Sequence, residues 1–187
     1  MNALLDQKII DTHIHLWDLK KNSYDWITHS SNKKLKESYL LDKFITDIGD
    51  LKVFKAIHIQ AEINREFNIE ETKWLQTIAD NNILGFPNGI IGYVDLSQKD
   101  AEYLIDQHIE YSNFRGIRQI LKYNAKEDLA HLNLLKNRQW IENLKILQKK
   151  NLTFDLLINY YQFQEASQVI KKYENLQFII NHTLWPI

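Results

Sequence analysis

Apolar residues recur along this chain in two rhythms. Six short runs have the length and period of strands: Lys8–Leu16, Phe54–Ile63, Gly89–Leu96, Phe114–Leu121, Leu152–Ile158 and Leu176–His182. Between most of them, apolar side chains return every three or four positions, the spacing of one helix face. Trp74, Leu75, Ile78 and Ala79 form one such stripe. Ala101, Leu104, Ile105, His108 and Ile109 form a second, behind a Ser97-x-x-Asp100 capping-box pattern. Trp140, Ile141, Leu144 and Leu147 mark a third, and Ala166, Val169, Ile170 and Tyr173 a fourth. A short helix is expected over Leu40–Ile48, and loops over Lys20–Glu37 and Lys122–Ala130. Strands alternating with helices predict βα units and a parallel sheet.

The count of units sharpens this. Six units in 187 residues take about 31 residues each, so eight would need about 250, the size of a (β/α)₈ barrel. The expected class is therefore α/β, a TIM-barrel-like (β/α) architecture that is incomplete, with about six of eight units in one domain spanning 1–187. A doubly wound six-stranded sheet is the competitor, but that fold usually opens on a glycine-rich first turn. Here the first turn reads HIHLWD, without glycine.

Strand faces then point to chemistry. In the first run Ile10, Thr12, Ile14 and Leu16 share one face and Asp11, His13 and His15 the other. In the second, Ala56, His58, Gln60 and Glu62 oppose Ile57, Ile59, Ala61 and Ile63. A barrel strand turns its apolar face outward to the helices, so polar inward residues near its C-terminal end face the usual active-site mouth. His13, His15, Gln60 and Glu62 meet that description, and Asp155 and Asn159 alternate similarly in the fifth run. Two imidazoles two residues apart on a strand project the same way and suit one divalent ion. His182 closes the sixth apolar run, where an unpaired imidazole would cost stability. His58 and His108 read as packed residues, His131 as solvated, and His29 lies in the long first loop. Trp17 and Trp185 follow proposed ligands closely and read equally well as pocket walls or as core.

Composition narrows the partners. With 23 Lys+Arg against 24 Asp+Glu and a net charge of -1, the chain offers no electrostatic case for nucleic acid or an anionic membrane. Zero cysteines exclude disulfides and thiolate ligands, and no apolar run approaches a membrane span. A cytoplasmic globular protein is expected.

The DTHIHLWD opening, IHIQAE, FRGIRQIL, FDLLIN and FIINHTLWP, in this order from Ile9 to Pro186, resemble the amidohydrolase-2 family. These are TIM-barrel metal-dependent hydrolases, with sugar-lactone and dicarboxylate-lactone hydrolases as the nearest relatives. The resemblance implies a divalent metal, zinc or manganese, on His13, His15 and His182. It implies catalytic roles for His182, for Glu62 in support of metal or water, and for Arg118 in holding a lactone carbonyl or a carboxylate, a task that suits a forked guanidinium. The implied function is lactone opening by activated water on a small lactone or carboxylate substrate. The family's strand-eight Asp, which collects the water's proton, has no counterpart, which leaves Glu62 or Asp155 as deputies and the metal weakly held or absent. Two alternatives follow: a catalytically impaired, truncated member acting as remnant or oligomeric scaffold, and a decarboxylase of the same superfamily. Exposed first and sixth strands as sheet edges predict a homo-oligomer, which light scattering would test.

Overall fold

The computed structural model describes residues 7–122 and 133–185. They fall into two compact units, the first holding residues up to Gly92 together with Glu110–Phe114, the second holding Tyr93–Ile109 and the residues from Arg115 on. The loop expected over Lys122–Ala130 beyond Lys122, and His131, lie outside the described residues.

The first unit contains β1 (Ile9–Ile14), β2 (Val53–Ile59) and β3 (Gly89–Gly92), paired in parallel in chain order. Its helices are α1 (Asp25–Thr28), α2 (Leu41–Ile48) and α3 (Asn68–Asp80). Ile14 and Leu16 meet Ala56, Ile90 and Phe86 in one buried cluster, closed by Phe44 of α2 and Leu75 of α3. Side chains of this kind stabilise by about 1.5–3 kcal/mol each when fully buried. A second cluster joins Tyr24 and Ile27 of the first loop to Ala61 and Ile63 after β2. The segment expected as a plain loop, Lys20–Glu37, thus carries the short α1 and a buried anchor of its own. α2 ends at Gly49, whose φ of 52° suits a residue without a Cβ.

Strict alternation fails in β1. Between Asp11 and Ile14 the pairing with β2 advances three residues on one strand against two on the other, from Ala56 to His58. The extra residue is a bulge, and it re-aims the side chains that follow. Ile10 and Thr12 are exposed while Ile14 and Leu16 are buried, so the expected apolar face divides there.

The second unit contains α4 (Ala101–Ile109), β4 (Phe114–Ile120, from Arg115 on), α5 (Arg138–Lys149), β5 (Thr153–Leu157), α6 (Phe163–Lys172) and β6 (Phe178–Ile180). β4, β5 and β6 pair in parallel in chain order. α5 starts where the Asn137 side chain accepts the Trp140 N–H at 2.9 Å. It presents Trp140, fully buried, edge-on to Phe154 at a centroid distance of 5.5 Å. The Trp140 indole donates to Gln119 Oε1 at 2.9 Å, and the Gln119 amide donates to Asp95 at 2.8 Å. The capping box does not form. Ser97 donates both its N–H and its hydroxyl to Asp95, at 3.0 and 2.7 Å, and α4 begins only at Ala101. A local Asp turn has captured the serine.

His108 sits on the buried face of α4, with Nε2 3.2 Å from the Tyr93 carbonyl. Burial holds its imidazole down at about 4, against 6.5 in an exposed chain, while the carbonyl pulls the other way. Below 6.5 the unfolded chain takes up the proton first, so this stability is full above about pH 6.5 and drains as pH falls toward 4. At about 1.4 kcal/mol per pH unit, the loss reaches about 3 kcal/mol. Urea midpoints of wild type and His108→Gln should therefore converge or cross as pH falls from 7.5 to 4.5, and parallel curves would refute this.

Candidate active site

The two strand-one imidazoles converge. His13 Nε2 and His15 Nε2 are 3.2 Å apart, with ring planes at 83°. His15 Nδ1 lies 2.7 Å from the Ile59 carbonyl on the neighbouring strand, which fixes that nitrogen as the donor and leaves Nε2 as the basic atom. Two ligands at about 2.05 Å from a tetrahedral ion lie roughly 3.3 Å apart, so the pair is spaced as two corners of such a site. The His13 N–H donates to Asp11 Oδ1 at 3.2 Å, a bond that stiffens the bulged turn. His58, fully buried, places Nε2 3.2 Å from the Leu16 carbonyl and its ring edge-on to His15 at 6.1 Å. Among the described residues, no three His, Cys, Asp or Glu side chains are gathered as a metal-holding group.

Gln60 and Glu62 do not extend β2, which ends at Ile59. Gln60 is buried, and its Oε1 accepts the Glu62 N–H at 2.6 Å. Glu62 is exposed and has φ of 55°. The expected alternation therefore stops two residues short of Glu62, and a folded elbow rather than a strand presents it.

In the second unit, Arg118 on β4 and Asp155 on β5 are register partners, both buried. Burial pushes the Asp155 carboxyl above the ordinary carboxylate range, against the Asn181 amide and the Arg118 charge. Asn181 Nδ2 donates to Asp155 Oδ2 at 2.9 Å. Asp155 Oδ1 and Asn181 Oδ1, also buried, have no hydrogen-bond partner among the described residues and leave acceptor capacity there. β6 ends at Ile180, so His182 does not close the strand: it is exposed, in a tight turn that runs at positive φ from His182 to Trp185. Partial burial and then the charges of Arg118 and Lys122 hold its imidazole below the ordinary value. Lys122 lies over the Trp185 ring at 3.7 Å, and the His182 ring meets Trp185 at 5.2 Å. Asn159 lies past the end of β5, where it caps a short turn with Gln162. Trp17 stacks on Tyr39 at 5.3 Å, and His29 is exposed with Nδ1 2.7 Å from the Asp25 carbonyl.

Residues 20–23 with Phe67 and Glu70 line an open cleft of about 400 Å³, and none of the residues above lines it. Lys122, Asn181 and Trp26 carried no signal in the apolar pattern. Glu71 carried one, an acid among the apolar residues of a helix stripe.

No sequence-family profile matches the chain. An uncharacterized protein, y4mH, from Sinorhizobium fredii is 34% identical over 188 residues, which span 95% of this chain and 63% of that protein. L-fucono-1,5-lactonase from Burkholderia ambifaria is 24% identical over 191 residues, spanning 95% of this chain and 57% of the lactonase. Among solved structures, an amidohydrolase from Burkholderia multivorans with bound zinc superposes with a TM-score of 0.74 at 21% identity. The match covers 94% of this chain and 58% of that one. The chain has the amidohydrolase fold. The likeness is to an incomplete TIM-barrel architecture, and the chain spans about three-fifths of the proteins it matches. No helix among the described residues is long and apolar enough to cross a membrane.

Proposed function

We propose that this chain carries the metal-ligating and substrate-binding parts of a hydrolase that opens a lactone by attack of activated water. The convergence of His13 and His15 Nε2 to 3.2 Å carries the reading, with His15 oriented by the Ile59 carbonyl. The distant L-fucono-1,5-lactonase and the zinc-bound structure support it. The donor set is two imidazole nitrogens, which suit zinc more than manganese. His13 and His15 would hold such a cation in the first unit. A divalent ion there would supply Lewis acidity and lower the pKa of water.

The chain's own groups have separate tasks. Glu62, exposed on its elbow, is the base that would take the water's proton, and Asp155 is the deputy. Asp155 is the less suited of the two, because it is buried and its Oδ2 already accepts the Asn181 amide. Arg118 presents a forked donor for a carbonyl or carboxylate oxygen.

Hydrolysis of a panel of sugar lactones and dicarboxylate lactones, followed by a pH indicator with zinc or manganese added, tests the reading. Turnover that depends on metal is expected. A folded sample silent on the whole panel would contradict it and favour a second reading, a chain without catalysis of its own. The lack of a three-ligand group among the described residues is the observation on that side.

A further inference from the structure

Glu71 is a carboxylate on α3 that is only 1% exposed, flanked by Thr72 and Leu75, which are fully buried. Burying an acid is costly unless strong donors meet it. One donor is the Ala61 N–H, 3.2 Å from Glu71 Oε1 across the short loop after β2. The other polar group of Ala61, its carbonyl, accepts the Trp26 indole N–H at 2.7 Å. Both backbone groups of one residue are thus held by side chains from two other elements. The neighbours are held as well. The Gln60 N–H donates to the Ile91 carbonyl at 2.7 Å, the Gln60 side chain takes the Glu62 N–H at 2.6 Å, and the Asn64 N–H donates to the Ser23 carbonyl at 2.9 Å.

This fastening surrounds a strained residue. Glu62 has φ of 55°, a region that glycine enters freely and other residues enter at a cost. A turn alone would be served by glycine; the chain keeps a carboxylate there and surrounds it with bonds that fix its backbone. We infer that Glu71 and Trp26 are positioning residues that lock the Gln60–Glu62 elbow and so set the direction of the Glu62 carboxylate. The inference rests on the reading that Glu62 handles the water's proton, and it adds residues which act through Glu62 without touching substrate.

Three full-length variants test it with two readouts. Glu71→Ala removes the acceptor of the Ala61 N–H, Glu71→Gln keeps a carbonyl acceptor, and Trp26→Phe keeps an aromatic ring, smaller than indole, but loses the N–H. Amide exchange by NMR should show Ala61 exchanging at least roughly tenfold faster in Glu71→Ala and near wild type in Glu71→Gln. Outer supports of this kind usually matter by about ten- to a hundredfold, so kcat for lactone hydrolysis should fall about tenfold in Glu71→Ala and Trp26→Phe. KM should hold within about twofold, and Glu71→Gln should restore kcat. Unchanged Ala61 exchange in Glu71→Ala overturns the lock. A released elbow with unchanged kcat overturns its role in positioning. A wild-type protein silent on every lactone overturns the reading of Glu62 instead, and the exchange data still decide whether Glu71 holds the elbow.

Discussion

Replacing His13 with alanine is expected to abolish metal-dependent lactone hydrolysis, by about a thousandfold or more. The imidazole supplies one of two nitrogens set 3.2 Å apart, and His15 alone is a monodentate ligand. Activation of water by a bound cation lowers its pKa by many units, so a site that no longer retains the cation loses that whole contribution. The fold should survive, because His13 is only partly buried and is absent from the buried clusters. Circular dichroism and the urea midpoint of His13→Ala should therefore match wild type while turnover vanishes. Equal turnover in the variant would show that the pair takes no part in hydrolysis.

The second large effect is on stability. Gly116 of β4 lies opposite Thr153 of β5, and a Cβ built on it would stand 2.2 Å from Thr153 Oγ1 and 2.4 Å from the Thr153 carbonyl oxygen. A threonine hydroxyl can rotate away, but a backbone carbonyl inside a paired strand cannot. Gly116→Ala should push β4 away from β5 beside Arg118 and Asp155, at a cost of about 3 kcal/mol or more. Thr153→Ala should not rescue it, because the carbonyl clash remains. Urea unfolding of the single and double variants checks this, and a Gly116→Ala midpoint within error of wild type would refute it.

Much of this fold was legible in the sequence. All six strands and the five longer helices lie where the sequence pattern placed them, and most bury apolar side chains against a neighbour, whereas Ile179 and Ile180 of β6 are exposed. Ends were less legible. The second run was expected to reach Ile63, yet β2 ends at Ile59: Gln60 makes a last backbone bond to Ile91 of β3, and Ala61 gives its backbone groups to Glu71 and Trp26. The sixth was expected to reach His182, yet β6 has three residues.

The site was legible where chemistry is local. His13 lies on β1 and His15 one residue past its end, and their separation by two residues was enough to foresee convergence. The bulge between Asp11 and Ile14 was not foreseeable, since it depends on register with β2. Glu71 and Asn181 were missed for a related reason. Their importance lies in partners on other elements, Ala61 and Asp155, and no spacing along the chain encodes those contacts.

The most direct test of the central claim is a calorimetric zinc titration of the wild-type chain and of a His13→Ala/His15→Ala double variant. One zinc per chain on wild type, lost in the double variant while its fold is retained, is the result this account predicts. Equal zinc binding by both proteins, or none by the folded wild type, would contradict it.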